Sequence, residues 1–112
     1  MGTGEGRGFG TVVAMSLPVV LRRAARAEYD KAGDWYERKR AGLGAAFTAA
    51  VQKVFDQISA RPQLYRVVLR DVRMAVVQGL PYCVFYRERR SAIVVLAVFH
   101  TSRDPSIWQS RS

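Results

Sequence analysis

Three side chains in the second half of the sequence could support acid–base chemistry on an anionic group. They are Arg73, His100 and Arg103, and His100 is the only histidine in the chain. Imidazole ordinarily exchanges protons near neutral pH, which suits general acid or base catalysis. Guanidinium groups stabilise the negative charge that builds on phosphorus. These three residues are therefore the candidate catalytic set if the chain is an enzyme that acts on phosphate groups.

Each candidate also has a structural interpretation. His100 could hydrogen-bond the turn that follows its strand, which would fix Arg103 or Trp108. Arg73 lies among apolar residues of its strand, and an ion pair with Asp71 or Asp104 would explain a charge at that position. Arg103 could be engaged by the helix that Asp104 begins. The sequence alone leaves both interpretations open.

A second set of residues could bind a protein or a nucleic acid. Tyr82 and Tyr86 share one face of a predicted strand by alternation, where they also suit a core with hydroxyls at its rim. Three arginines near a predicted hairpin tip are expected to be a solvated cluster or a contact for phosphate or carboxylate groups. The candidate binding residues are Arg73, Tyr82, Tyr86, Arg87, Arg89, Arg90 and Trp108.

Charge and cysteine content narrow the function classes. The 112 residues carry a net charge of +9, with 15 arginines among the 18 basic residues, which favours an anionic partner. One cysteine and one histidine are too few for a disulfide framework or a structural zinc site, so neither a metal nor another cofactor is expected. Cys83 lies in an apolar run, which predicts a reduced cysteine and a cytoplasmic protein. No uncharged apolar run is long enough to predict a membrane helix.

Hydrophobic spacing predicts a helical hairpin near the start of the domain. Residues 1–14 contain five glycines and are expected to form a flexible extension, with the domain in residues 15–112. A short strand is predicted at residues 17–21. Apolar residues at helical spacing then run from Ala24 to near Gly42, and again from Leu43 until Pro62 ends the pattern.

The remaining sequence predicts a sheet and a short final helix. Runs rich in Val, Ile, Tyr and Phe predict four strands, at residues 65–69, 72–78, 82–87 and 92–99. The last run is apolar on both faces, which predicts a central strand. Asp104 and Pro105 are typical of a helix start leading to Trp108. The predicted fold is α+β, with an N-terminal strand and an antiparallel helical hairpin packed on a mostly antiparallel sheet of about four strands. Arg73, His100, Arg103 and Trp108 are expected to converge at one edge of that sheet.

Short motifs lie at defined places along these elements. They are Trp35-Tyr36-Glu37, Gly42-Leu43-Gly44 with Phe47, Ile58 with Pro62, Arg73, Leu80-Pro81-Tyr82, Phe85-Tyr86-Arg87, and His100 to Pro105 with Trp108. Each motif alone is weak, but their order and spacing are specific. Over residues 15–111 the set resembles the RelE/ParE family of bacterial type II toxins, and the predicted fold is that of the family.

The resemblance implies a toxin that arrests growth and is neutralised by a cognate antitoxin encoded beside it. The antitoxin is usually acidic and wraps the toxin with an extended C-terminal segment, so a hetero-oligomer is expected. The family includes two mechanisms, which are poisoning of DNA gyrase and ribosome-dependent cleavage of mRNA. A fold does not decide between them.

Departures from the nuclease pattern favour the gyrase mechanism. The mRNA-cleaving members use several Lys and Arg residues on the sheet and often a tyrosine near the C-terminus. Here no lysine follows Lys53, and Trp108 stands where that tyrosine is expected. ParE-like inhibition of gyrase is therefore the predicted function. The alternative is a RelE-like mRNA endoribonuclease, for which Arg73, His100 and Arg103 would be the catalytic residues. A basic RNA-binding module that stacks bases on an exposed sheet is a third and weaker candidate.

Overall fold

A computed structural model describes residues 16–112, which form two long helices, a short helix and a sheet. In chain order the elements are β1 (Val19–Leu21), α1 (Arg23–Lys39), α2 (Leu43–Ala60), a 3-10 turn (Pro62–Leu64), β2 (Arg66–Leu69), β3 (Val72–Val76), β4 (Tyr82–Glu88), β5 (Ile93–His100) and α3 (Ser106–Gln109). Each predicted helix and strand is present, and most bounds differ by a residue or two. The predicted extension, residues 1–14, lies outside the described residues.

The sheet has five strands in the order β1-β5-β4-β3-β2. β1 pairs in parallel with β5, and the other neighbouring strands are antiparallel. The sheet therefore has one strand more than the predicted four, because the N-terminal strand joins it. The prediction that the last strand is central is confirmed, since β5 lies between β1 and β4.

The helical hairpin covers one face of the sheet. Phe47, Val51 and Ile58 of α2 are buried against Val84 and Val98 of the sheet. This confirms that the apolar helical stripes form the core. The opposite face carries a second cluster that includes an aromatic group of Phe85, Phe99 and Trp108. The fold therefore has two apolar layers that share one sheet.

Glu37 holds the turn between the two long helices. Gly42 has a φ of 93°, which favours glycine, and its amide donates to both carboxylate oxygens of Glu37 at 3.1 Å. The Gly44 amide donates to Oε1 of the same carboxylate at 3.0 Å. A Cβ atom at Gly44 would lie 2.8 Å from the Gly33 carbonyl oxygen. The hairpin thus depends on a close helix approach at Gly44.

We expect Gly44→Ala to lower the free energy of unfolding by about 1 to 3 kcal/mol, because the added methyl group meets backbone that cannot move aside. Gly33→Ala is the matched control. A Cβ atom there meets the Thr48 methyl group at 3.5 Å, an ordinary contact, so this change should be neutral or should stabilise by up to about 1 kcal/mol. Urea unfolding of both variants is the measurement. Equal stability of Gly44→Ala and the unchanged chain would contradict the close approach.

Candidate functional site: a groove at the open edge of β5

β5 has a strand neighbour on its outer side only along its first three residues, Ile93 to Val95. Beyond Val95, no strand within residues 16–112 pairs with that side of β5. The register between β4 and β5 also shifts here, since Tyr86 faces Val95 and Phe85 faces Ala97, which leaves Leu96 as an extra residue. Such a bulge redirects the backbone groups that follow it. Polar backbone groups of β5 consequently point toward an open edge.

One carboxylate and one guanidinium group bond this open edge in place of a strand. The Val98 amide donates to Oε1 of Glu28 at 3.1 Å, and Arg111 donates to the Leu96 carbonyl oxygen at 3.1 Å. Glu28 also accepts from Arg103 at 2.7 Å and from Arg111 at 2.9 Å. The Glu28 side chain is only 12% exposed, so few water molecules can solvate its carboxylate. The hydrogen bonds and ion pairs compensate for this lost solvation.

A groove of about 710 Å³ lies between α1 and the open edge of β5. Its aromatic and ionisable lining residues are Glu28, Lys31, Trp35, Tyr36, Tyr82, His100 and Arg103. Trp35 is 48% exposed, and the Lys39 ammonium nitrogen lies 4.9 Å from the centroid of its ring. The groove therefore joins an apolar wall to a positively charged rim. Three sequence candidates, Tyr82, His100 and Arg103, meet in it.

His100 is held by the turn after β5. Its Nδ1 atom accepts a hydrogen bond from the Ser102 amide at 3.0 Å, and the Ser102 hydroxyl oxygen lies 2.8 Å from the same atom. The imidazole packs edge-on against the Tyr82 ring, with centroids 5.1 Å apart. Burial raises the pKa of the Tyr82 hydroxyl, which is therefore a hydrogen-bond donor at neutral pH. His100 thus makes the hydrogen bond to the following turn that its structural interpretation predicts.

Arg103 pairs with Glu28 across the open edge. It also lies over the Phe99 ring, with the guanidinium carbon 4.4 Å from the ring centroid. The predicted engagement by the helix at Asp104 is wrong. The Asp104 carboxylate instead accepts the Ser106 amide at the start of α3, and this hydrogen bond lowers the pKa of the carboxyl group.

Arg73 lies far from the groove. In the sheet it pairs with Tyr86, whereas His100 pairs with Tyr82, four residues along β4. That offset separates the two positions by about 13 Å along the strand. Arg73 donates to the carbonyl oxygen of Tyr65 at 2.6 Å, and within residues 16–112 it forms none of the predicted ion pairs. The sequence missed this partner, which belongs to the loop entering β2.

Trp108 lies on the opposite face of the sheet from the helical hairpin. It is 5% exposed, and its ring stacks on Phe85 with centroids 4.0 Å apart. The expected convergence at one edge is therefore wrong for both Arg73 and Trp108. The strand register places Arg73 at a distance from His100 and Arg103 along the sheet. Trp108 lies on the other face of the sheet.

Tyr86 and Arg87 are both buried. Tyr86 faces the helices together with Tyr82, as predicted, and its hydroxyl donates to the Pro62 carbonyl oxygen at 2.6 Å. Burial raises the pKa of this hydroxyl. The Arg87 side chain is 7% exposed and pairs with Asp71 at 3.0 Å.

The predicted solvated arginine cluster is thus wrong for Arg87. Arg89 and Arg90 are exposed, and Arg89 shares the Asp71 carboxylate at 3.1 Å. Desolvation opposes ionisation of Asp71, but the charge of Arg87 and hydrogen bonds from both arginines leave its pKa below the ordinary value. Only the outer part of the cluster therefore remains open to a partner.

Sequence reasoning missed Glu28 and Arg111. Glu28 had a recognisable signal, because it lies three residues after Ala25 and four before Ala32, within the apolar stripe of α1. A carboxylate at such a position requires a buried partner. Arg111 had no comparable signal, since it follows the last predicted helix.

Comparisons with known proteins define the class of this α+β chain. A family model described as the ParE toxin of the type II toxin-antitoxin system, parDE, matches residues 19–105. The chain belongs to this toxin family. A comparison with curated proteins found no match.

A solved structure shares the fold. It is the chromosomal ParDE TA system from P. aeruginosa, with a TM-score of 0.58 and 18% sequence identity, and the match covers 79% of this chain and 99% of the other. Within residues 16–112, no helix is long and apolar enough to cross a membrane. In the same range, no three His, Cys, Asp or Glu side chains lie together as a metal site would require.

We expect Glu28→Ala to lower the free energy of unfolding by about 3 kcal/mol, because it leaves Arg111 and the Val98 amide without their partner. Arg103→Ala should cost at most about 1 kcal/mol, since the Arg103 side chain is 39% exposed and water replaces its contacts. Urea unfolding at neutral pH compares the two. Similar losses for both variants would show that Glu28 does not anchor the open edge.

Proposed function

We propose that this toxin arrests growth through ParE-like inhibition of DNA gyrase. The observation that supports this choice is the dispersal of the candidate nuclease residues. Arg73 lies about 13 Å along the sheet from His100 and donates to a backbone carbonyl. A cation that stabilises a cleaving phosphate must reach the same phosphorus atom as the acid and the base.

The two candidates that do share the groove are already engaged. Arg103 is paired with Glu28, and Nδ1 of His100 accepts the Ser102 amide. A substrate phosphate would have to compete with a carboxylate 2.7 Å from the Arg103 guanidinium. A protein target needs no such site, because binding at an exposed surface is sufficient for inhibition.

Cleavage of mRNA is the second candidate function. The observation that favours it is that His100 and Arg103 line one groove, with a Tyr82 hydroxyl beside them. In a reduced nuclease site, His100 would exchange the proton and Arg103 would contact the phosphate after leaving Glu28. The same experiment tests both candidates.

The purified toxin is expected to inhibit DNA supercoiling by purified gyrase, and primer extension on mRNA from cells that produce the toxin is expected to show no new cleavage sites. Cleavage sites without gyrase inhibition would overturn the proposal in favour of the nuclease.

Under the gyrase proposal, His100→Ala and Arg103→Ala should weaken growth arrest while costing about 1 kcal/mol of stability or less. Lys53→Ala, an exposed change on α2, is the control. Full toxicity in both groove variants would place the target contact elsewhere.

A further inference from the structure

We propose that the end of the sheet opposite the groove is a contact surface for the phosphate backbone of duplex DNA. Two turns form this surface, which we call the arginine end: the β2–β3 turn, Arg70-Asp71, and the β4–β5 turn, Arg89 to Ser91. β4 runs about 20 Å from Tyr82 in the groove to Glu88 at the arginine end. The choice of DNA rests on the proposed function, because gyrase acts on a DNA duplex.

Asp71 joins the two turns of the arginine end. Its carboxylate lies 3.0 Å from the Arg87 guanidinium and 3.1 Å from that of Arg89, so the β2–β3 turn is fixed beside the end of β4. The Arg89 side chain nevertheless keeps 51% of its surface exposed. A guanidinium group that is already oriented and still half exposed loses little side-chain freedom when it bonds a phosphate.

More than half of the chain's net charge lies in and beside the arginine end. Residues 61–73 and 87–91 carry seven arginines and two carboxylates, which gives +5 of the total +9. Arg90 is exposed and has no hydrogen-bond or salt-bridge partner within residues 16–112. Such a concentration of positive charge attracts a polyanion and makes its binding depend on salt.

Arg70 occupies a backbone position that favours another residue type. Within residues 16–112 it is the only non-glycine residue with a positive φ, 52°, and it lies in the two-residue connection between the paired positions Leu69 and Val72. Tight hairpin turns prefer Gly, Asn or Asp where φ is positive. An arginine there costs local stability, and its side chain makes only an exposed hydrogen bond to Ser112 at 3.0 Å. A binding role for the guanidinium group accounts for this choice of residue.

The exposed side chains of the two turns suit a nucleic acid better than a protein surface. All of them are polar: Arg70, Asp71, Arg89, Arg90 and Ser91. A protein interface normally buries apolar or aromatic side chains at its centre, and these turns offer none. A phosphate backbone instead requires cations and hydrogen-bond donors, which arginine supplies.

The aromatic residues near the arginine end favour a duplex over a single strand. Proteins that bind single-stranded nucleic acids stack unpaired bases on exposed aromatic rings. Here Tyr86 is fully buried, and Tyr65 packs edge-on against it with ring centroids 6.3 Å apart. Both rings are thus occupied within the fold. Contact with the backbone charge remains, and a duplex presents that charge at high density.

Salt-dependent binding to DNA tests this surface. The probe is a short fluorescently labelled DNA duplex, and fluorescence anisotropy with the full chain gives the affinity over a series of salt concentrations. Arg90→Gln should reduce the slope of log affinity against log salt concentration by about 1, because one phosphate contact is lost. Arg38→Gln, which removes the same charge from an exposed position on α1, should leave the slope unchanged.

Three results of this titration would overturn the proposal. The first is that the unchanged toxin does not bind the duplex at low salt. The second is an equal change of slope in Arg90→Gln and Arg38→Gln, which would mean that only overall charge matters. The third is tighter binding to a single-stranded RNA of the same length.

Arg70→Gly separates binding from stability. Glycine relieves the positive φ, so the melting temperature should stay the same or rise. Affinity for the duplex should nevertheless fall by about threefold to tenfold, because a phosphate contact is lost. Unchanged affinity in this variant would exclude Arg70 from the contact and overturn a surface built on both turns.

A supercoiling assay distinguishes failure of this proposal from failure of the proposed target. The combined Arg70→Gly and Arg90→Gln variant should require a roughly tenfold higher concentration than the unchanged toxin to inhibit purified gyrase, if the two contacts act independently. Full inhibition by this variant would keep gyrase as the target and overturn the role of the arginine end. Loss of inhibition without any DNA binding would identify an acidic protein surface as the partner and would also overturn the proposal. Duplex binding with the expected slopes, by a toxin that does not inhibit gyrase, would support the DNA contact and refute the target.

Discussion

The structure depends on how the outer edge of β5 is satisfied after β1 ends. A bulge at Leu96 turns backbone groups outward at a place where no described strand can meet them, and unpaired polar backbone in a nearly buried position is costly. Glu28 and Arg111 bond these groups and also each other. One carboxylate thereby links the first long helix, the last strand and the segment after α3. The groove exists because side chains, not a strand, close this edge.

The same helix uses a second carboxylate in a similar way at its other end. Glu37 accepts the amides of Gly42 and Gly44 and so fixes the turn to α2, while Glu28 accepts an amide of the sheet. Glu28 and Glu37 are nine positions apart on α1. Their contacts therefore tie two separate points of this helix, one to β5 and the other to the start of α2. Trp35 lies between them, so its position at the groove follows from both contacts.

Local patterns in the sequence predict most of the fold but only part of the site. Helical spacing, strand alternation and proline positions predict each α-helix and strand, and alternation correctly places Tyr82 and Tyr86 on one face. The partners of the arginines depend on register and on loops distant in sequence. Arg87 meets Asp71 only once β3 and β4 are paired, and Arg73 meets the Tyr65 carbonyl only once β2 folds beside it. A pattern within a short stretch of sequence cannot predict contacts that form only when separate strands pair.

The net charge of this toxin consequently does not indicate which of its cations are free to bind a partner. The basic residues of the second half include Arg73, Arg87, Arg103 and Arg111, and each of these four is engaged by a carboxylate or a carbonyl oxygen within the fold. Their charges still raise the positive electrostatic potential around the chain, which speeds the encounter with any negatively charged molecule. Other cations keep an exposed charged group, such as Lys31 beside the aromatic wall of the groove. The arginines of the sheet are therefore committed to holding the fold together, and the groove itself is shaped by the carboxylate of Glu28.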